Sequence, residues 1–367
     1  MTDIEKPKYQ RLKEYIIQTI KSREIMQGEK IFSENELAGK FDISRHTVRQ
    51  AVGELVNDGW LYRVQGKGTF VGGGPEEKQG RTNTIGVITT YMNDYIFPAI
   101  IRGIDGVLSS NGYYIMLGCT YNQHEKERQC LENLKRQNIV GLIAETTKSA
   151  LPNPNLDLYR ELSGNGIPVL FIHGYYKDFG YSYVVEDDAR AGYIATRHLV
   201  DLGHEKIGGV FKVDDIQGHL RFAGFQQALL EAGIRLSDSR ILWFDTDEAD
   251  VKFKGGKSKR LAGILSDCTA VVCYNEQIAV RVLDSIREKG LSVPDDISIV
   301  SFDDSQLAVA SEVKLTTVAH PKEKLGEEAA KAVINMVEGR KNYYDVKMQP
   351  ELIIRGSTRI FGERAVG

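Results

Sequence analysis

Apolar side chains near the start of the chain recur every three or four positions, which is the spacing of one face of an α-helix. The pattern predicts an amphipathic first helix over roughly residues 8–22. Its apolar face is formed by Tyr9, Leu12, Ile16, Ile17 and Ile20.

A capping signal begins a second predicted helix. In the sequence S-E-N-E, the Ser33 hydroxyl can accept a bond from a free backbone N–H, and Glu36 can reach back to the N–H of Ser33. The apolar face of this helix consists of Leu37, Ala38 and Phe41. After a short turn, Ser44 is a suitable N-cap for a third helix that ends near residue 57.

The residues after Gly59 predict a β-hairpin, because the strand-like segments W-L-Y-R-V and T-F-V flank the glycine turn Q-G-K-G. Helix, helix, turn, helix and hairpin in this order are typical of a winged helix-turn-helix. Residues 1–71 are therefore predicted to form one small domain of this type.

Apolar side chains are absent from residues 72–84, which predicts a linker that glycine, proline and charged residues keep solvated. From residue 85 to residue 367, short apolar runs alternate with helical patterns. The runs are IGVIT, YYIMLG, GLIAE, VLFIHG, YVVE, IGGVFK, ILWF, AVVCY, ISIVSF and LTTVA. Such alternation predicts an α/β unit of parallel sheets flanked by helices. Ten strands in this length fit two sheets better than one.

Composition and charge change this picture little. With 42% hydrophobic and 26% charged residues the chain is an ordinary globular protein. Residues 1–74 hold 12 Lys and Arg against 10 Asp and Glu, a net charge of +2, so nucleic-acid binding has to be argued from placement. No apolar stretch approaches the roughly 18 residues of a membrane span, and no signal pattern begins the chain. We therefore expect a cytoplasmic protein without a membrane partner.

The third predicted helix presents a polar face that suits DNA recognition. Val48, Ala51, Val52 and Leu55 form its apolar face, which leaves Arg45, His46 and Arg49 on another side. Arginine can bind guanine bidentately, and an exposed pair one turn apart lies where a recognition helix meets base edges. A solvated face without a partner explains these residues equally well if the helix is considered alone. The capped helix before it and the hairpin after it favour DNA binding.

Three further residues are candidate contacts to the DNA backbone or groove. Gln65 and Lys67 lie at the predicted hairpin tip, where glycine lets the backbone approach closely, although a plain surface turn also explains these glycines. Lys8 lies at the first turn of the first helix, whose free N–H groups favour a phosphate.

Several segments carry a resemblance to known families. SENELAGKFDISRHTVRQAVGELVNDGWLYRVQGKGTFV resembles the DNA-binding domain of GntR-family regulators. HLVDLGHEKIGGV, RFAGFQQAL, CYNEQIAV and VPDDISIVSFDD resemble the periplasmic-binding-protein-like core of LacI/GalR repressors. With DYIFPAIIRGI, TKSALPNPN and QPELIIRGSTR in the same chain, the whole resembles the L-arabinose-responsive repressors. The resemblance implies a two-lobed core, L-arabinose as effector, no cofactor, and a homodimer on a palindromic double-stranded operator.

The resemblance also implies functional positions in both regions. Those for DNA fall on Lys8, Glu34, Arg45, His46, Arg49 and Gln65. Glu34 is repelled by phosphate, so it either accepts from cytosine, orients an arginine, or simply belongs to the first turn of its helix.

The positions implied for the sugar lie between two lobes at the carboxyl ends of parallel strands. They fall on Arg221, Asn275 and Asp303. A sugar ring also needs an aromatic cover and further polar groups. The candidates are Tyr95, Phe97 and Tyr175 as rings, and Glu145 and Lys148 as polar groups. His320 would lie near a crossover between the lobes, where a satisfied core histidine is the plainer interpretation, and Asp303 could instead cap a turn.

An enzyme is the weaker hypothesis. G-G-K-S at residues 255–258 lacks the first glycine of a phosphate-binding loop, because Val251 stands there. The seven histidines and four cysteines show no metal-ligand spacing, and no nucleophile elbow is present. We therefore expect a ligand-controlled DNA-binding regulator without a catalytic or metal site. A regulator that senses another sugar, or an α/β sugar-processing enzyme, stays open.

Overall fold

The computed structural model describes residues 8–22, 24–64, 67–72, 83–92, 95–176, 180–253 and 258–362. The chain divides into two compact units, Met1–Thr82 and Asn83–Gly367, here called the head and the two-lobed unit.

The head contains three helices and a hairpin. They are α1 (Lys8–Lys21), α2 (Glu34–Phe41), α3 (Arg45–Asn57), β1 (Leu61–Val64) and β2 (Gly68–Val71). The predicted capping box is present, since Ser33 Oγ accepts from the Glu36 N–H at 3.3 Å and Glu36 Oε2 accepts from the Ser33 N–H at 2.7 Å. Ser44 caps α3 by accepting from the Thr47 N–H at 3.1 Å. The buried centre of the head includes Leu12, Ile16, Leu37, Val48, Ala51, Val52, Leu55, Leu61 and Val71.

The hairpin has a third, short partner that the sequence pattern did not predict. The Ile31 N–H donates to Thr69 O at 3.0 Å, and the Gly28 N–H donates to Val71 O at 2.9 Å. These bonds attach β2 to the segment before α2, so the hairpin is fixed to the helices on one side.

Two parallel sheets form the two-lobed unit, as predicted. The first lobe has the strand order β13-β7-β6-β5-β3-β4, and all its neighbouring strands are parallel. Its strands are β3 (Thr84–Thr89), β4 (Tyr114–Cys119), β5 (Gly141–Glu145), β6 (Val169–Ile172), β7 (Ser182–Glu186) and β13 (Asp345–Met348). Its helices are α4 (Phe97–Ser110), α5 (His124–Arg136), α6 (Leu156–Gly164) and α13 (Lys322–Val337).

The second lobe has the order β14-β12-β11-β10-β8-β9, and only β14 runs antiparallel to its neighbour among these strands. Its strands are β8 (Ile207–Lys212), β9 (Ile241–Phe244), β10 (Ala270–Cys273), β11 (Ser298–Asp303), β12 (Thr316–Ala319) and β14 (Glu351–Ile353). Its helices are α7 (Asp188–Asp201), α8 (Ile216–Glu231), α9 (Ala249–Phe253), α10 (Lys259–Asp267), α11 (Glu276–Glu288) and α12 (Gln306–Ala310). A short 3₁₀ turn, Asp238–Arg240, precedes β9.

The chain passes between the lobes three times, between β7 and α7, between β12 and α13, and between β13 and β14. All ten predicted strands are present, and β13 and β14 are additional. Both additional strands pair at an outer edge, and the residues of β13 alternate between exposed and half-buried positions. Since neither contains a run of buried apolar residues, the sequence pattern did not indicate them.

Candidate functional site

The head exposes the polar face of α3. Because Ser44 caps the helix, Arg45 and His46 occupy its first turn and Arg49 lies one turn later, all three exposed. Val48 and Val52, on the opposite side, are buried. The predicted division of this helix into an apolar and a cationic face is therefore present.

Glu34 holds one of these arginines. Arg49 Nη2 donates to Glu34 Oε2 at 2.9 Å and Arg49 Nε donates to Oε1 at 3.3 Å. These bonds lower the pKa of the Glu34 carboxyl, and the positive charges of Arg63 and Arg45 act in the same direction. Glu34 thus lies among three cationic side chains and orients the guanidinium group of Arg49.

Arg63 is a further cationic residue near Glu34 that the sequence pattern did not indicate. It lies exposed on β1, two residues after the buried Leu61 and on the same face of the strand. The alternation of the hairpin gave no signal for it, because period-two alternation places Arg63 on the same side as the inward-facing Leu61. Arg63 joins the cationic surface formed by α3.

Two of the three remaining predicted DNA-contacting residues, Lys8 and Lys67, are described by the structure. Lys8 Nζ donates to both the carbonyl oxygen and Oδ2 of Asp42 at 3.0 Å, so it reaches the turn before α3. Lys67 is exposed and lies just before β2. Gln65 lies outside the described residues.

A cavity of about 390 Å³ lies between the lobes of the two-lobed unit. Its size falls within the range of about 300–1,000 Å³ found for small-molecule sites. Six predicted ligand residues line it, namely Tyr95, Phe97, Glu145, Arg221, Asn275 and Asp303. Charged residues and amides from both sheets thus converge at the carboxyl ends of parallel strands.

Arg221 is the central cation of the second-lobe wall and is almost fully buried. Its Nε donates to Asp188 Oδ1 at 2.8 Å and its Nη1 donates to the carbonyl oxygen of Tyr274 at 2.7 Å. Burial opposes its charge, but Asp188 and Asp303 more than offset this, so the pKa of Arg221 is raised. Burial is also the main reason that the pKa of Asp188 is raised.

The close approach of two helices makes this pair possible. A Cβ atom on Gly192 of α7 would lie 2.0 Å from the carbonyl oxygen of Arg221, and one on Gly224 of α8 would lie 1.9 Å from that of Ala189. Only glycine fits at such contacts. The two glycines therefore bring the helices that carry Asp188 and Arg221 into contact.

Asn275 lies just after β10, and Asp303 ends β11. Asn275 Oδ1 accepts from the Ile278 N–H at 3.0 Å and so caps α11. Asp303 Oδ1 lies 3.5 Å from Arg221 Nη2. The side chain that caps the helix after β11 is Ser305, so Asp303 faces the cavity instead.

Glu145 occupies the opposite wall, at the end of β5. Its Oε2 accepts from the N–H and the hydroxyl of Thr90 at 2.5 and 2.8 Å, and its Oε1 lies 3.0 Å from His173 Nδ1. The ring of Phe97 meets the His173 ring edge-on with 6.3 Å between centroids. Polar and aromatic groups therefore share this wall.

Further cavity residues were missed in the sequence. They are Asn122, His173, Lys212, Asp215 and Arg281. His173 follows β6 directly, as Glu145 ends β5, so the rule that ligands bind at the carboxyl ends of strands could have found it.

Three predicted ligand residues lie outside the cavity lining. Lys148 Nζ pairs with Asp247 Oδ2 at 3.0 Å across the cleft, and the Tyr175 ring stacks on Tyr183 with 4.2 Å between centroids. His320 is buried, and its Nε2 lies 2.9 Å from His173 Nε2. Burial lowers the pKa of His320 well below its usual value, so this histidine is neutral in the folded protein.

In the described part of the chain, no group of three or more His, Cys, Asp or Glu residues is placed to hold a metal ion. Across the same residues, no helix is both long and apolar enough to cross a membrane.

Comparisons with known proteins agree with both units. Residues 8–71 match the family model of bacterial regulatory proteins of the gntR family, and residues 196–358 match a periplasmic binding protein-like domain. A LacI family transcriptional regulator from Enterococcus faecium, solved with bound ribose, superposes with a TM-score of 0.64 at 26% identity over 76% of this chain and 99% of its own. The predicted winged-helix head and two-lobed α/β fold are confirmed.

Two relatives are similar over nearly the entire chain. The arabinose metabolism transcriptional repressor of Halalkalibacterium halodurans is 42% identical, with 96% of each chain covered. The protein of the same name from Geobacillus stearothermophilus is 43% identical over 96% of this chain and 98% of its own. Both are named as transcriptional repressors. The chain therefore belongs to the family of arabinose metabolism transcriptional repressors, DNA-binding regulators in which a GntR-type head is joined to a sugar-binding type of domain.

Proposed function

We propose that this protein represses arabinose-utilisation genes in the cytoplasm by binding palindromic operators as a homodimer, and that L-arabinose releases it. The observation that carries the proposal is the cavity between the lobes, whose walls combine cations, carboxylates, amides and aromatic rings. Sugar hydroxyls both donate and accept hydrogen bonds, so a wall with both kinds of partner suits a pentose. The names of the two relatives support arabinose as that pentose.

In the proposed complex with sugar, Arg221, Asn275 and Asp303 bind hydroxyls from the second lobe, and Glu145 binds from the first. Phe97 covers an apolar face of the ring. Lys148, Tyr175 and His320 contribute indirectly, since they lie outside the cavity lining.

In the proposed complex with DNA, Arg45, His46 and Arg49 meet base edges in the major groove. Glu34 holds Arg49 in the orientation for bidentate binding, as its two hydrogen bonds support. Lys8, Gln65 and Lys67 contact the backbone and wing-side groove. Two heads in a dimer match two half-sites, because the symmetry of the protein mirrors that of a palindrome.

Release follows from a difference in affinity between conformations. L-arabinose binds the closed arrangement of the lobes best, and that arrangement does not place two heads on one operator. The sugar therefore lowers operator affinity only to the extent that it prefers the closed form.

An electrophoretic mobility-shift titration tests the proposal. Purified protein bound to an operator fragment is titrated with L-arabinose and, as a matched control, with D-arabinose. We expect L-arabinose to release the DNA, D-arabinose to have little effect, and the sugar to be recovered unchanged. Undiminished operator binding at saturating L-arabinose, or turnover of the sugar, would overturn the proposal.

A further inference from the structure

One tyrosine reaches from the first lobe into the second. The Tyr95 hydroxyl donates to Glu276 Oε2, and it accepts from the Glu276 N–H at 3.2 Å. Tyr95 lies just before α4 of the first lobe, whereas Glu276 begins α11 of the second lobe. A reciprocal pair of hydrogen bonds thus joins the two lobes at the wall of the cavity.

The Glu276 carboxylate is a prepared acceptor for this hydroxyl. The residue is fully buried, and its Oε1 accepts from Thr317 Oγ1 at 2.6 Å and from the Asp304 N–H at 2.9 Å. All these partners belong to the second lobe, so they stay in place when the lobes separate. Oε2 then loses the Tyr95 hydroxyl, and a buried acceptor without a donor is unfavourable.

Tyr95 itself is held in an unfavourable backbone conformation. Its φ angle is 62°, in the left-handed region that side chains other than glycine rarely adopt. Burial raises the pKa of the Tyr95 phenol well above its usual value, so the hydroxyl keeps its proton and remains a donor. The bonds to Glu276 offset the strain only while the lobes are together.

We propose that Glu276 is a positioning residue for the effector, because it holds Tyr95 across the cleft and so stabilises the closed lobes. This inference rests on the proposed function, in which the cavity binds L-arabinose. Glu276 lies behind the cavity wall, whereas its neighbours Asn275 and Gln277 line it. Its effect on the sugar therefore passes through Tyr95.

The consequence is quantitative. When only the closed form binds sugar well, the apparent dissociation constant is the intrinsic one divided by the closed fraction. Leaving a buried acceptor without its donor is costly enough that loss of this bond should weaken sugar binding roughly ten- to a hundredfold. Loss of either partner should have the same effect, since the bond needs both.

Calorimetric titration of the full chain with L-arabinose tests this as a double-mutant cycle of Tyr95→Phe and Glu276→Gln. We expect each single variant to bind the sugar about tenfold or more weakly, and the double variant to match the weaker single within about threefold. Glu276→Gln should bind better than Glu276→Ala, since an amide oxygen still accepts. Additive losses, or unchanged affinity in the single variants, would overturn the inference.

A matched control separates this effect from general loss of stability. Tyr176→Phe also removes a buried phenol, but its partners, Asn153 and Thr147, lie in the first lobe only. It should lower the melting temperature and leave sugar affinity unchanged. Operator binding without sugar should survive in all variants.

A second measurement works without sugar. Hydrogen exchange in the sugar-free protein should be faster around residues 95–97 and 274–278 in Tyr95→Phe and Glu276→Gln than in the wild type, because the cleft opens more often. Equal exchange rates would overturn the inference. If the wild type fails to bind L-arabinose, the proposed function fails, and these exchange rates still decide the role of Glu276.

Discussion

An arginine–carboxylate pair lies at the candidate functional site of each unit, and the two pairs are alike in distance but opposite in environment. Arg49 and Glu34 of the head meet at 2.9 Å with side chains 63% and 35% exposed. Arg221 and Asp188 of the two-lobed unit meet at 2.8 Å with side chains 3% and 2% exposed. Exposure, rather than distance, therefore separates them.

The difference explains what each pair can do. Water competes with an exposed pair, so its contribution to stability is small and either partner is free to exchange. In the proposed complex with DNA, Arg49 can thus leave or share Glu34 when a base arrives. The buried pair has no water to replace a lost partner, so Arg221 is fixed in place and presents a rigid surface to the cavity between the lobes.

The strongest test of this comparison is Arg221→Met, which we expect to destabilise the two-lobed unit by about 3–5 kcal/mol. The reason is that Asp188 and Asp303 would be left buried without their cation. Urea unfolding of the full chain measures the effect. Arg197→Met breaks an exposed pair between Arg197 and Asp201, both of which lie on α7. This variant should leave the free energy of unfolding almost unchanged. Equal stability of the two variants would contradict the comparison.

In the head, removal of an exposed arginine should affect recognition instead of folding. Arg45→Ala and Arg49→Ala should each lose roughly ten- to a hundredfold in discrimination between operator and random DNA. Lys8→Ala should weaken binding to all sequences and flatten its salt dependence. Competition gel shifts at several salt concentrations measure both effects. Equal losses on specific and random DNA for all three variants would be inconsistent with these roles.

A pH experiment compares a buried with an exposed carboxyl. Burial, assisted by Asp303, raises the pKa of Glu276 to about 7, whereas hydrogen bonds from Ser33 lower the pKa of Glu36. Because the folded-state pKa of Glu276 exceeds its unfolded value, its stabilising contribution is complete below about pH 4.5 and is lost as the pH rises through 7. Glu36 behaves in the opposite way, because its folded-state pKa is lowered. Its stabilising contribution is complete above its unfolded pKa and is lost as the pH falls.

Melting temperatures between pH 4.5 and 8 measure this in wild type, Glu276→Gln and Glu36→Gln. The melting temperature of the wild type should fall relative to that of Glu276→Gln as the pH rises. The difference for Glu36→Gln should stay nearly constant over the same range. A flat difference curve for Glu276→Gln would show that this carboxyl does not titrate as its burial requires.

The smallest expected effect is that of Glu34→Gln. Since the pair with Arg49 is exposed, the melting temperature should change by less than about 2 °C. Binding to random DNA should become slightly tighter, because one negative charge near phosphate is removed. Thermal melting and fluorescence anisotropy measure the two quantities. A large loss of stability would show that exposure is a poor guide to this pair.

Much of the head was predictable from sequence because its signals are local. Ser33, Glu36 and Ser44 cap helices through residues three positions away, and the cationic face of α3 follows from helical spacing alone. The short pairing of Ile31 with Thr69 was missed, because a single bridge leaves no periodic pattern.

The cavity was predictable only in part. Glu145 and Asp303 end strands and line it, as the position of ligand sites in parallel sheets suggests. Tyr175 lies in the loop after β6, and it stacks on Tyr183 outside the cavity lining. Whether a predicted aromatic residue faces the cavity depends on the side chains that pack against it, and the local sequence does not identify these.

The sequence by itself determined the elements of this protein, namely its caps, its two patterned regions and its alternating strands, because backbone bonding and burial periodicity act over a few residues. Only the tertiary structure decided which polar side chains pair with one another. Arg221 reaches Asp188 because Gly192 and Gly224 let two helices touch, and Tyr95 reaches Glu276 because the chain crosses between the lobes three times. Such pairs join residues far apart in the chain, and burial makes them strong, so their chemistry is fixed by packing rather than by spacing.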